Sequence, residues 1–234
     1  MKILAIDTSG SNCSACIFED GKIVSEFNLS VGITHSQTLL PIVDILNKNS
    51  NIDISDIDIF ACSTGPGSFT GLRIGIATIK GFALSLDKKV IGVPTLYSIA
   101  NNIPYFDGAI CSVLDARNNN VYAAVYDNDL NMIGEYITET SDKLIETLKN
   151  IKEQKIMFVG SGAEVYKERF IQEFGNNAVF TDDSFNRELA SSVARVAYKR
   201  AMNNDFDDCD KLVPMYLKKS QAERMLDGEG SNDW

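Results

Sequence analysis

The order of secondary-structure signals in this chain is written twice, and that repetition restricts the fold more than any single motif. Residues 3–8 form a short apolar run, 13–19 a second, and 22–29 alternate with Ile23, Ser25 and Phe27 on one face. All three read as strands, with Asp20-Gly21 as a hairpin turn. A helix follows over about 35–47, with Thr34 as candidate cap and Leu39, Ile42, Val43 and Leu46 on one stripe. Residues 57–63 read as a buried strand and 68–86 as a long helix opened by glycines. After residue 108 the order βββαβα returns. Strands are expected at 110–115, 120–127 and 132–137, a helix at 141–151 with Ser141 as candidate cap, a strand at 156–160 and a helix at 163–174. Asp7 and Asp115 each end the apolar strand that opens a repeat.

The expected architecture is α/β: two lobes, each with a mixed five-stranded sheet, around a cleft where the loops after the first strands meet. The first lobe spans 1–100 and the second 101–220. Pro94 and the Asn101–Pro104 turn mark the boundary. A last helix over 187–202 is free to pack back on the first lobe, and 221–234 read as a flexible acidic tail.

Composition removes several functions. Net charge is −10, which disfavours unaided nucleic-acid binding, because phosphate affinity rests on clustered Lys and Arg. With a single histidine, His35, no two-histidine metal site can form within the chain, and Leu39 stands where a His-x-x-x-His pair needs its second member. A Ser-His-Asp triad would have to use His35, and no serine lies in G-x-S-x-G. The five scattered cysteines read as reduced core residues of a cytosolic protein. Cys13 and Cys16 sit three apart on a strand and so point to opposite faces. Asp7 ends the first apolar run too early for a signal-peptide core. No apolar run approaches the roughly 18 residues a membrane span needs.

Two loops could carry chemistry. Asp7-Thr8-Ser9-Gly10-Ser11 can present backbone N–H groups to a phosphate, or form a turn in which the aspartate bonds its own backbone. In the second repeat the turn after Asp115, Ala116–Asn120, lacks glycine and carries Arg117, which would crowd a polyphosphate. Asp7, Thr8, Ser9 and Asp115 are therefore weak candidates for cofactor contact. No cofactor, catalytic residue or metal ligand is assigned. The stretch Thr64–Gly75 is the most distinctive. It is no P-loop, because Leu72-Arg73 follows its glycine in place of Lys-Ser/Thr. Gly71 and Gly75 cost a helix about 1 kcal/mol each relative to alanine. Such a cost points to close approach by another helix, internal or from a second chain, with anion binding at the helix start as the alternative.

At Ile6–Ser9, Thr34–Pro41, Thr64–Gly75, Gly92–Leu96, Leu114–Arg117 and Pro214–Lys218 the chain resembles the TsaB (YeaZ) family, over nearly its whole length. The resemblance implies the duplicated actin-like ATPase and sugar-kinase (ribonuclease H-like) fold. It also implies a non-catalytic role in synthesis of N6-threonylcarbamoyladenosine in tRNA, by binding and activating a TsaD-type transferase. Further implied partners are a TsaE-type ATPase, a second copy of the chain when alone, and tRNA only through the complex. Such families pair through helices of the first lobe, which nominates Leu39, Ile42, Val43, Leu46, Gly71, Leu72, Gly75 and Thr78 as interface residues. The rival reading is a stand-alone small-molecule kinase or ATPase with Asp7 and Asp115 around Mg-ATP and Gly160–Ala163 near the adenosine.

Overall fold

The computed structural model describes residues 1–217 except 31, 33 and 152–154, so Lys218 and the expected tail at 221–234 lie outside the described residues. The first half comprises β1 (Lys2–Asp7), β2 (Cys13–Glu19), β3 (Lys22–Leu29), α1 (His35–Ser50), β4 (Ile59–Gly65), α2 (Phe69–Leu86), β5 (Lys89–Pro94) and α3 (Thr95–Ala100). The second comprises β6 (Ala109–Asp115), β7 (Val121–Tyr126), β8 (Met132–Ile137), α4 (Ser141–Leu148), β9 (Ile156–Val159), α5 (Ser161–Val165), α6 (Lys167–Phe174), β10 (Ala178–Phe180) and α7 (Ala190–Met202). The strand orders are β3-β2-β1-β4-β5 and β10-β9-β6-β7-β8, the same order read from opposite edges. In each sheet the opening strand runs antiparallel to the next strand in the chain and parallel to the fourth. The hairpins need only short turns, whereas each parallel pair needs the helix that crosses between its strands.

Helices α1 and α2 cover one face of the first sheet. Leu39, Ile42, Leu46, Ile76 and Ile79 pack there against Leu4, Ile6 and Phe60. The other face, with Ile3, Ala5, Cys16 and Ala61, takes α7 through Ala190, Val193, Ala194 and Ala197. Cys13 and Cys16 accordingly fall in opposite cores, and all five cysteines are free. Helix α3 gives Leu96, Ile99 and Ala100 to the core of the second sheet, beside Ile110, Ala124 and Tyr126. Each half thus lends a helix to the other. At the end of α7, Arg200 bonds Gly92 O at 2.8 Å, Asp205 at 2.7 Å and Asp207 at 3.1 Å, which pins the helix to β5.

Some local expectations change. The helix expected over 163–174 breaks at Tyr166 into α5 and α6. The one expected over 141–151 ends at Leu148, and Thr140 rather than Ser141 caps it, accepting from Lys143 N at 3.4 Å. Thr34 occupies the cap position of α1 but makes no capping bond. Helix α2, with a mean hydropathy of 1.2 over 18 residues, is long and apolar enough to cross a membrane, despite Arg73 and Lys80 within it. The sequence expectation missed this because it looked for an unbroken run. Here one face of α2 is spent on the first core.

Candidate functional site: the cleft between the lobes

The loops after β1 and β6 face each other across a cleft of about 540 Å³, with Ser9, Gly10, Ser68, Asp115, Arg117 and Glu188 on its walls. On the first wall Asp7 is fully buried. Its Oδ1 accepts from Ser9 N at 2.9 Å and Ser9 Oγ at 2.6 Å, so the aspartate bonds its own loop. Its Oδ2 has no hydrogen-bond partner in good geometry among the described residues, the Ser63 hydroxyl lying close by, and burial pushes the carboxyl above its usual range. Thr8 and Ser9 are buried as well.

The start of α2 lies directly on this loop. Ser68 caps the helix by accepting from Gly71 N at 3.2 Å, and its own N–H donates to Ser9 O at 2.6 Å. Thr8 Oγ1 donates to Gly71 O at 2.8 Å. A Cβ on Gly67 would collide with Ser9 O, one on Gly71 with Thr8 O, and one on Gly75 with Thr8 Oγ1. The close approach inferred from the helix glycines is therefore real, but its partner is the end of β1 rather than another helix.

This corrects the interface expectation. Leu39, Ile42, Val43, Leu46 and Leu72 are buried inside the chain. Gly71 and Gly75 face Thr8, and Thr78 is half-buried with its Oγ1 donating to Ile74 O at 2.8 Å. An apolar stripe marks the face a helix hides, and the first surface available to hide it is the helix's own sheet.

Glu188, just before α7, is 7% exposed, and its carboxylate lies over Gly10 so closely that a Cβ there would be 2.5 Å from Oε2. Asn12 Nδ2 donates to Glu188 O at 3.0 Å. Burial, and then the charge of Asp7, push Glu188 up to about 7. Sequence reasoning missed this residue. An acid ahead of an apolar helix is common at helix starts and carries no mark of burial. His35 Nε2 bonds Gly10 O at 3.0 Å and so steadies the same loop.

The second wall is built differently. Asp115 is only half-buried, and its Oδ1 accepts from Arg117 N and from the Tyr166 hydroxyl, both at 3.0 Å. Arg117, Asn118 and Asn119 all adopt left-handed φ, between 50° and 62°, which asparagine tolerates better than most residues. Gly160 and Gly162 are backed by β6, where a Cβ would meet Val113 O at 2.5 Å and Val113 Cγ2 at 2.7 Å respectively.

Two lobes of duplicated βββαβα topology around such a cleft form a fold that sugar kinases share. The ROK hexokinase from Thermus thermophilus shares this fold with a TM-score of 0.52 at 10% identity, over 87% of this chain and all of that one. The family model for tRNA N6-adenosine threonylcarbamoyltransferase (TsaD) matches residues 30–226. The tRNA threonylcarbamoyladenosine biosynthesis protein TsaB of Escherichia coli is 32% identical over 98% of this chain and 100% of its own length. The structure of YeaZ from Pseudomonas aeruginosa superposes with a TM-score of 0.78 at 23% identity, over 92% of this chain and 99% of that one. The chain belongs to the TsaB (YeaZ) family.

The fold class implies a nucleotide in the cleft, and the residues present do not fit one. Asp7 is sealed behind its loop, the Glu188 carboxylate covers Gly10 where phosphates would approach, and the glycines at 160 and 162 are used against β6.

Proposed function

We propose that this chain serves synthesis of N6-threonylcarbamoyladenosine in tRNA as a non-catalytic cytoplasmic subunit that docks on a TsaD-type transferase and activates it. End-to-end similarity to the E. coli protein named for that biosynthesis supports the pathway. The docking surface is the outward side of α1 and α2. There Leu40, Ile45 and Leu84 are 55%, 39% and 62% exposed although the inward side is already filled, and this is the observation that carries the reading. Gly81, with nothing among the described residues within 4 Å of its Cβ position, leaves room for a partner helix to approach. Exposed apolar side chains flanking the buried stripe of a helix layer support a protein contact there. The same surface would pair two copies of the chain when the transferase is absent. A TsaE-type ATPase joins the assembled pair, and tRNA is held through the complex, since a chain of net charge −10 attracts phosphate poorly.

The non-catalytic reading is supported by how the cleft residues are employed: His35 is held on Gly10 O, Leu39 lies in the core and Asp7 is sealed. The test mixes the purified chain with a TsaD-type subunit, a TsaE-type ATPase and tRNA, and measures complex formation and modified-adenosine yield. Leu40→Glu with Leu84→Glu should abolish both while leaving the melting curve of the chain unchanged. An undiminished complex would reject this surface, and modified base made by the chain alone would reject the non-catalytic role.

A further inference from the structure

A second cavity lies on the seam where the two halves exchange helices. Its volume is about 340 Å³, within the roughly 300–1,000 Å³ of small-molecule pockets, which favour such junctions. Tyr97 of α3 and Tyr126 of β7 form one wall, meeting edge to face with ring centroids 5.6 Å apart. Tyr136 and Met132 of β8 and Val196 of α7 add to a mostly apolar lining. The Tyr126 hydroxyl is buried with no hydrogen-bond partner in good geometry among the described residues, and the Ser112 hydroxyl lies close to it. Buried tyrosines ordinarily find one.

The β7–β8 turn points the same way. Leu130, which also lines the cavity, is held at φ 63°, a rare conformation for a bulky residue. Asp127 Oδ1 fixes the turn by accepting from Asp129 N at 2.9 Å and Asn131 N at 2.8 Å. Charge at the mouth is selective. Arg200 is committed to Asp205, Asp207 and Gly92 O, whereas Lys199 is exposed and, among the described residues, donates one long bond, 3.5 Å, to Asn101 Oδ1.

We propose that this cavity binds a small aromatic acid, with its ring against the tyrosine wall and its carboxylate on Lys199. The tyrosine walls offer edge and offset contacts to a ring, and the ammonium supplies a charge-assisted bond to the acid. Bound there, the ligand touches α3, α7 and the β7–β8 hairpin at once and braces one half of the molecule against the other.

The test titrates the full chain with the fluorescent dye 1-anilinonaphthalene-8-sulfonate, an aromatic anion. One saturable site is expected. Met132→Trp, a change at a 44% exposed position on the cavity rim, should block it, and Leu84→Glu on α2 should not. Displacement by 2-naphthoate should need about tenfold less compound than displacement by neutral 2-naphthalenemethanol, the ratio expected for one charge-assisted bond, and Lys199→Glu should erase that ratio. Thermal melts confirm that each variant is folded. Unsaturable binding, binding lost in Leu84→Glu, or displacement indifferent to charge would overturn the proposal.

Discussion

Asp7 and Asp115 stand at corresponding points of the two repeats, yet the structure treats them as opposites. Asp7 is fully buried with one oxygen unpartnered among the described residues, whereas Asp115 is half-buried and bonded to Arg117 N and Tyr166. The cause lies in the helix that follows the fourth strand of each repeat. In the first half, glycines at 67, 71 and 75 let α2 descend onto the end of β1 and close the loop over its acid. In the second half the counterpart is broken into α5 and α6, and a tyrosine at the break reaches the aspartate from the side. One topology has thus produced a sealed wall and an open one, and the difference is the amount of side chain between helix and strand.

The largest expected effect tests that seal. Gly71→Ala places a Cβ against the Thr8 backbone oxygen, which cannot swing aside, and should cost about 3 kcal/mol, the upper end for overpacking. Gly162→Ala in the second half meets the tip of Val113 instead and should cost about half as much. Urea midpoints of the two variants measure the contrast, and equal losses would break it.

The next effect concerns charge in the sealed wall. Glu188 is raised from an ordinary 4.5 to about 7 in the folded state. Between those values the folded chain holds a proton that the unfolded chain has lost, so stability falls as pH rises from about 4.5 to 7 and then levels off. The shift corresponds to at most ~3 kcal/mol. Asp7, also raised by burial, slopes the same way. Glu188→Gln should flatten most of this dependence in denaturation curves taken across that pH window, and an unchanged slope would place the burden on Asp7.

Smaller effects come from surfaces the seal does not involve. Gly81→Ala, on the outward side of α2 with open space beyond it, should raise stability by about 1 kcal/mol, the helix-propensity difference alone. Tyr166→Phe removes the 3.0 Å bond to Asp115 and should cost about 0.5–1 kcal/mol, because water can replace it on a half-buried acid.

Much of this was legible beforehand. Alternation marks β3, and Asp20-Gly21 the turn before it, because a strand with one polar face must write that face at every second position. The short strand β10 and the helix α3 carry too few residues for any period to show. The candidate site was legible only in part. The Asp7 loop and the Thr64–Gly75 stretch were singled out, but the direction in which the glycines face was not, since a helix glycine announces close packing without naming the neighbour. Leu39, Ile42, Val43 and Leu46 form the stripe that the sequence predicts, and it packs on the first sheet of the same chain rather than on a second chain.

The sequence by itself determined which positions alternate, where the chain turns and that the same order of elements occurs twice. These properties are local, set by side-chain period and backbone preference within a few residues. The tertiary structure alone decided that α7 packs on the first sheet and α3 on the second, that Glu188 lies over Gly10, and that Tyr97 meets Tyr126 at a cavity. Each of those contacts joins residues far apart in the chain, and burial and electrostatics act through space without regard to sequence separation.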